Sequence, residues 1–233
     1  MSRPPILNPQ AIPVVGTDAQ LKPISAERLL PAGLRQHFAT VANADWQPEL
    51  SGDGGRHTTR EPAAAAVLLP LVEREDGLQV LLTQRTAHLR DHAGQISFPG
   101  GRSEPEDGTA VETALREAEE EIGLPRSHVE VLGQLPIYTT VTAFRVTPVV
   151  ALVRPGFALR LDEFEVADAF EVPLQFLMTP AHHRRHVFHW EGGERQFLSM
   201  PWTGSGLAGV EREFFIWGAT AAMLRNFYSF LSR

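Results

Sequence analysis

Cysteine is absent from the 233 residues of the chain. This absence excludes a disulfide framework, a thiolate zinc site and a cysteine nucleophile. An excess of positive charge is also missing, because 28 acidic side chains against 21 lysines and arginines give a net charge of −7. Such a charge argues against binding to nucleic acid or to an anionic membrane through electrostatic attraction. A ligand that carries phosphates would need a local source of positive charge at its binding site.

No long uninterrupted apolar run is present either. Prolines break the first 15 residues, where a secretory signal would need a continuous apolar core. The most apolar stretch, residues 214–231, is interrupted by Thr220, Arg225 and Asn226, and its apolar residues recur at helical spacing. It predicts a buried helix and not a membrane span. With the lack of cysteine, these features favour a cytoplasmic protein that binds neither nucleic acid nor a membrane.

An uneven composition divides the chain in two. Residues 1–61 are rich in Pro, Gly and Ser and contain one helical pattern, at 27–41, so they predict an N-terminal arm with a single helix. Residues 62–233 predict one domain that ends in a C-terminal helix. The sequence leaves open whether the arm is disordered, packs over a substrate site or mediates the contacts of a homodimer.

Short apolar runs separated by turn residues predict strands after residue 62. The first two runs, at 63–72 and 78–84, flank Asp76-Gly77 and predict a β-hairpin. Further strands are predicted near Val129, Val146 and Phe170, with a second hairpin around Gly192-Gly193, and helices at 109–122, at 174–178 and from Glu213 to the C-terminus. This irregular alternation predicts an α+β fold in which helices cover a mixed sheet.

The helix predicted at 109–122 carries the most informative pattern. Thr109 followed by Glu112 is a capping-box signature, which predicts that the helix starts there. Helical spacing then puts Glu117, Glu120 and Glu121 in one patch beside the apolar face. The glycine at position 123 is well placed to end the helix.

Three carboxylates in one patch need an explanation. Like charges three or four residues apart destabilise a helix by roughly 0.2–0.5 kcal/mol per pair, so the patch implies a counter-ion or a function. Carboxylate oxygens are ligands for Mg²⁺ or Mn²⁺, which would also gather phosphate oxygens at the same place. Taken alone, such a run of charges is more often a solvated helix face. The preceding loop shifts that balance, since Gly100 and Gly101 allow the backbone to approach another group closely.

The segment around this helix resembles the Nudix box, in which a glycine and an intervening stretch precede Arg-Glu-x-x-Glu-Glu-x-Gly. The residues that fill this pattern are Arg116, Glu117, Glu120, Glu121 and Gly123. Asp107 stands where the box usually has a glutamate, with one extra residue between it and the arginine. The mutual spacing of the three glutamates is intact.

The segment just before the box is similar to the signature of the coenzyme A pyrophosphatase branch of this family. The matching residues are Leu81, Leu82, Thr83, Arg85, Arg90, Gly94 and Phe98-Pro99-Gly100-Gly101. Thr86 replaces the usual Ser or Ala. Similar sequence texture continues at 146–149 and 216–221, whereas the first sixty residues add nothing to the resemblance.

This resemblance implies an α/β/α sandwich and the metal-dependent hydrolysis of coenzyme A, or of a derivative, to 3′,5′-adenosine bisphosphate and 4′-phosphopantetheine. It implies that Glu117, Glu120 and Glu121 hold Mg²⁺ or Mn²⁺. One of them, or a glutamate from elsewhere, would accept the proton of the attacking water. Arg116 is expected to orient a glutamate through a bidentate pair.

Further site residues follow from the same resemblance. Glu165 occupies the place from which many family members supply another carboxylate to the metal, although a charged residue before a strand is an equal alternative. Arg85 and Arg90 are candidates for binding the diphosphate or the 3′-phosphate, with surface ion pairs as the alternative. Gly100 and Gly101 complete the candidate substrate-binding residues.

Other functions remain open on the sequence. A Nudix hydrolase for ADP-ribose, nucleotide sugars or oxidised nucleotides would carry the same box, and only the segment at 81–101 favours coenzyme A. A catalytically silent nucleotide-binding module is a third alternative, but such modules generally lose box glutamates, and all three are present. A zinc site in the histidine-rich segment at 182–189 is not expected, because its spacing follows no zinc pattern.

Overall fold

The computed structural model describes residues 4–41, 46–53, 61–89 and 92–233. Its strands are β1 (Val14–Thr17), β2 (Ala63–Arg74), β3 (Gly77–Arg85), β4 (Ile96–Ser97), β5 (Gly100–Arg102), β6 (Val129–Gln134), β7 (Tyr138–Thr139), β8 (Phe144–Val153), β9 (Val166–Pro173), β10 (Arg184–Trp190), β11 (Gly193–Ser205) and β12 (Glu211–Trp217). Its α-helices are α1 (Pro31–Val41), α2 (Ala110–Ile122), α3 (Leu174–Leu177) and α4 (Gly218–Leu231).

The larger of two sheets is mixed. Its central pair, β2 and β8, runs parallel from Ala63↔Phe144 to Val72↔Val153, and the other pairs are antiparallel. The strand order is β4-β3-β2-β8-β6, with β5 beside β2, β7 beside β8 and β9 beside β3. The predicted first hairpin is confirmed, because β2 and β3 pair up to Arg74↔Gly77.

The two faces of this sheet bury separate apolar cores. Successive side chains of a strand point to opposite faces, and β8 shows the alternation clearly. Val150 and Leu152 belong to the core that includes α1 and α4. Val149 and Ala151 belong to the core that includes α2. Helices therefore cover both faces, and the fold is the predicted α+β arrangement, an α/β/α sandwich.

A second, antiparallel sheet has the order β1-β10-β11-β12, and the sequence did not predict it. The hairpin expected around Gly192-Gly193 is confirmed by β10 and β11. The prediction of a helix from Glu213 is wrong, because residues 211–217 form β12 and pair with β11. Phe214 and Ile216 are buried, so the apolar residues here recur at a period of two before the helical period begins at Gly218.

The helix of the N-terminal arm is shorter than predicted. It begins at Pro31 and not at residue 27, since proline fits the first turn of a helix but not its interior. The described residues of the arm contact the C-terminal part of the chain: β1 pairs with β10, and the Arg28 guanidinium donates to the Leu231 carbonyl at 2.6 Å. In the described ranges, no helix has the length and apolar character that crossing a membrane requires.

Candidate active site

The carboxylate patch lies on α2, whose ends are fixed by the predicted caps. The Thr109 hydroxyl accepts a hydrogen bond from the Glu112 amide at 3.2 Å. Gly123 takes a φ of 66°, the left-handed conformation that ends many helices. The side chains that α2 buries against the sheet include Ala114, Ala118 and Ile122. This register turns Glu117 and Glu121 toward β5, whereas Glu120 is largely exposed.

Glu121 is the most deeply buried glutamate of the patch, with 5% of its surface exposed. Its Oε2 accepts a hydrogen bond from the Gly100 amide at 3.0 Å, and its Oε1 lies 3.7 Å from a guanidinium nitrogen of Arg85. Burial raises the pKa of Glu121 to about 8. The helix, β5 and the end of β3 therefore meet at this one carboxylate.

Gly100 and Gly101 allow β5 to lie close to its neighbours. A Cβ atom at Gly100 would lie 2.6 Å from the Cα of Val67, and one at Gly101 would lie 2.5 Å from the carboxylate of Glu117. A larger residue at Gly100 would clash with β2, and one at Gly101 would displace the carboxylate of Glu117. The glycines thus bring the backbone to the glutamates, and their assignment as substrate-binding residues stays a prediction.

Arg116 ties the patch to the loop before α2. Its Nε and Nη2 donate to the two carboxylate oxygens of Asp107 at 3.0 and 2.8 Å. Its Nη1 donates to Glu117 at 3.0 Å and to Glu120 at 2.9 Å. These hydrogen bonds hold the pKa of Asp107 well below its usual range and raise the pKa of Arg116. This role of Asp107 was not predicted from the sequence, although its place in the box pattern was a signal for it.

Glu165 approaches the patch from the loop before β9. Its negative charge adds to burial, the larger cause, in raising the pKa of both Glu117 and Glu121. The loop is fixed in place because the Thr86 amide donates to the Glu165 carbonyl at 2.9 Å. Four glutamates from two distant parts of the chain therefore share one electrostatic environment.

Of the two arginines predicted to bind substrate, only Arg85 lies in the described part of the chain. Arg85 ends β3, is about a quarter exposed and faces Glu121. Arg90 lies outside the described residues, so its role in substrate binding stays a prediction.

Negative charge dominates this region. Among the described residues, five carboxylates and the guanidinium groups of Arg85 and Arg116 lie in this region. The carboxylates are those of Asp107, Glu117, Glu120, Glu121 and Glu165. Burial is the main cause of the raised pKa of Glu117, and repulsion by neighbouring carboxylates adds to it. A cation at this place would relieve that repulsion.

These side chains do not form a complete metal-coordination site by themselves. Within the ranges that the structure describes, no three or more His, Cys, Asp or Glu side chains are arranged to hold an ion. Arg116 contacts Glu117 and Glu120, while Glu121 is turned to Gly100. Binding of Mg²⁺ does not require a complete set of protein ligands, because Mg²⁺ keeps several waters and is often bound by one or two carboxylates together with substrate phosphates. The oxygen donors present fit such a hard divalent cation.

Comparison with known proteins bears on this arrangement. The sequence model of the NUDIX domain matches residues 61–190, more than half of the chain, and these include β5 and α2. The chain belongs to the Nudix hydrolase family. The predicted family resemblance is thereby confirmed. The carboxylate patch of α2 lies inside the matched residues.

Two Nudix relatives cover most of the chain. The uncharacterized Nudix hydrolase NudL of Escherichia coli (strain K12 / DH10B) is 44% identical over 164 residues, which are 70% of this chain and 79% of NudL. NudL of Salmonella paratyphi B is 43% identical over 172 residues, 73% of this chain and 83% of that protein. A solved Ap4A hydrolase of C. elegans has a TM-score of 0.42 and 18% identity, and covers 49% of this chain and 85% of that one.

Proposed function

We propose that this Nudix hydrolase cleaves the diphosphate of coenzyme A, or of a coenzyme A derivative, with Mg²⁺ or Mn²⁺ as cofactor. The products are 3′,5′-adenosine bisphosphate and 4′-phosphopantetheine. One observation carries the proposal: Arg85 and Gly100, both in the segment that resembles the coenzyme A signature, face the buried carboxylate of Glu121 in the box helix.

The cation would be held by Glu117, Glu120, Glu121 and Glu165. When bound, it supplies charge stabilisation to the phosphoryl oxygens and lowers the pKa of a coordinated water. Arg116 positions the first two of these glutamates through its own hydrogen bonds. One glutamate of the patch accepts the proton of the attacking water.

The arginines around the patch are proposed to bind the substrate. Arg85 is proposed to donate to phosphate oxygens, because the guanidinium fork matches phosphate geometry. Arg90 is proposed to add a second positive charge toward the diphosphate or the 3′-phosphate. Gly100 and Gly101 keep the backbone close enough for the substrate to reach the carboxylates.

The test is product identification by mass spectrometry after incubation with coenzyme A, ADP-ribose or 8-oxo-dGTP, each with and without Mg²⁺. We expect coenzyme A to have the highest kcat/KM and to give the two products named above. A preference for ADP-ribose or 8-oxo-dGTP would overturn the coenzyme A assignment. If no substrate gives metal-dependent products, the chain is instead a binding module.

A further inference from the structure

Phe164 is an unusual aromatic residue in this protein. Every Phe, Tyr and Trp of the chain lies within the described ranges, and of these Phe164 alone is largely exposed, at 67%. The other aromatic side chains are buried or partly buried in the two cores and the second sheet. The ring of Phe164 is therefore accessible to a ligand.

The position of Phe164 links it to the carboxylate patch. It directly precedes Glu165, whose carboxylate acts on Glu117 and Glu121. In the same loop, the Asp162 amide donates to the carbonyl of Glu121 at 2.9 Å. The loop that exposes this ring is therefore the loop that carries Glu165 to the carboxylate patch.

The backbone of Phe164 is held rigidly. Its amide donates to the carboxylate of Asp162 at 2.9 Å, and its carbonyl accepts a hydrogen bond from the Thr86 hydroxyl at 2.8 Å. The ring itself packs on one side against the ring of His88, with centroids 4.8 Å apart at an angle of 58°. A ring that is anchored in this way loses little conformational freedom when a ligand stacks on it.

We propose that Phe164, supported by His88, is the platform on which the nucleobase of the substrate stacks while its diphosphate lies at the carboxylate patch. The inference rests on the proposed function and names a part of the site that recognises the nucleoside. Stacking on an aromatic side chain suits a base because every base has a flat π-face.

Other occupants fit this ring less well. The residues around it in sequence, Asp162, Glu163 and Glu165, are acidic, which disfavours an anionic membrane surface. A protein partner would need a much larger contiguous apolar area than one ring provides. A flexible pantetheine chain would gain less from a flat ring than a base does.

A binding experiment separates the base from the phosphate. AMP and ribose 5-phosphate are titrated into the protein with Mg²⁺ and followed by NMR, for the wild type, Phe164→Ala and Phe164→Tyr. We expect the wild type and Phe164→Tyr to prefer AMP by about tenfold, a preference that Phe164→Ala loses. Val210→Ala, which trims another exposed apolar side chain, is the matched control and should keep the preference.

The kinetic counterpart uses coenzyme A. Phe164→Ala should raise KM about tenfold with kcat within about twofold of the wild type, because the ring binds substrate and does not act on the reacting atoms. An unchanged AMP preference in Phe164→Ala, or a wild type without such a preference, overturns the inference. If the wild type prefers AMP but does not hydrolyse coenzyme A, the proposed substrate fails while the base platform stands.

Discussion

Two polar clusters in this protein contain similar residues but differ in charge balance. At the α2 patch, three glutamates of the helix lie near the carboxylates of Asp107 and Glu165 and the guanidinium groups of Arg85 and Arg116. Near α4, the buried Arg225 contacts Asp18 at 3.1 Å and Glu49 at 2.7 Å, and Arg185 pairs with the same two carboxylates.

The positive and negative charges of the α4 cluster are equal in number. It contains two acidic and two basic side chains, and His183 completes it as a neutral ring. The ring Nε2 hydrogen-bonds the Leu177 carbonyl at 2.7 Å, and Nδ1 lies 3.2 Å from Arg225. Each charge is compensated inside the fold, so the cluster needs no ligand and joins the N-terminal arm to the C-terminal helix.

The α2 patch lacks that compensation. Its carboxylates keep raised pKa values at Glu117 and Glu121 because burial and mutual repulsion oppose ionisation. Charge balance, more than the number of ionisable groups, therefore distinguishes a structural network from a site that binds a cation.

Glu121→Gln should lower kcat/KM for the preferred substrate about a thousandfold, because it removes a carboxylate from the proposed cation and water site. Thermal unfolding should occur at the same or a higher temperature, since the change also removes repulsion. Glu119→Gln is the control on the same helix; its partner Arg126 is exposed, and activity should not change. Full activity in Glu121→Gln would refute the role of the patch.

Arg225→Met should show the opposite pattern. It leaves Asp18 and Glu49 without their buried partner, so the free energy of unfolding should fall by about 3–5 kcal/mol in a denaturant titration. Arg74→Gln, which breaks the more exposed pair with Glu171, should cost at most about 1 kcal/mol. Equal losses in the two variants would contradict the distinction between buried and exposed pairs.

Acid should weaken the α4 cluster through His183. Burial lowers the pKa of this histidine to about 4, below its ordinary value of 6.5. The unfolded chain therefore takes up the proton first as the pH falls, and the free energy of unfolding should drop by about 3 kcal/mol between pH 6.5 and pH 4. Well above pH 6.5 this contribution is constant.

The measurement is urea unfolding of the wild type and His183→Gln across that range. The variant should be less stable at pH 7 but should lose less stability toward pH 4. Other groups titrate equally in both proteins, so the difference isolates His183. Parallel pH profiles would show that this histidine does not titrate as described.

Asp107→Asn should have the smallest effect. It weakens the bidentate pair that holds Arg116, so Glu117 and Glu120 lose a fixed partner and kcat should fall about tenfold. Glu106→Gln, an exposed neighbour in the same loop, serves as the control. If Asp107→Asn retains full activity, Arg116 is positioned without its help.

Local patterns carried much of the information about the site. The register of α2 follows from Thr109, Glu112 and Gly123, because capping depends on neighbours in sequence. The β2–β3 hairpin follows from Asp76-Gly77 for the same reason. The end of β12 was misread as helix because the apolar residues of 214–217 run directly into those of α4, and strand pairing with β11 is a distant contact.

The sequence by itself therefore determined the family, the mixed α+β fold and the presence of three glutamates at helical spacing. Only the tertiary structure decided that Asp107 binds Arg116, that Gly100 reaches Glu121 and that Phe164 stays exposed beside Glu165. The reason is physical: helix spacing and caps are set by residues a few positions apart. The pairing of charges, in contrast, depends on loops that come together only when the sheet has formed.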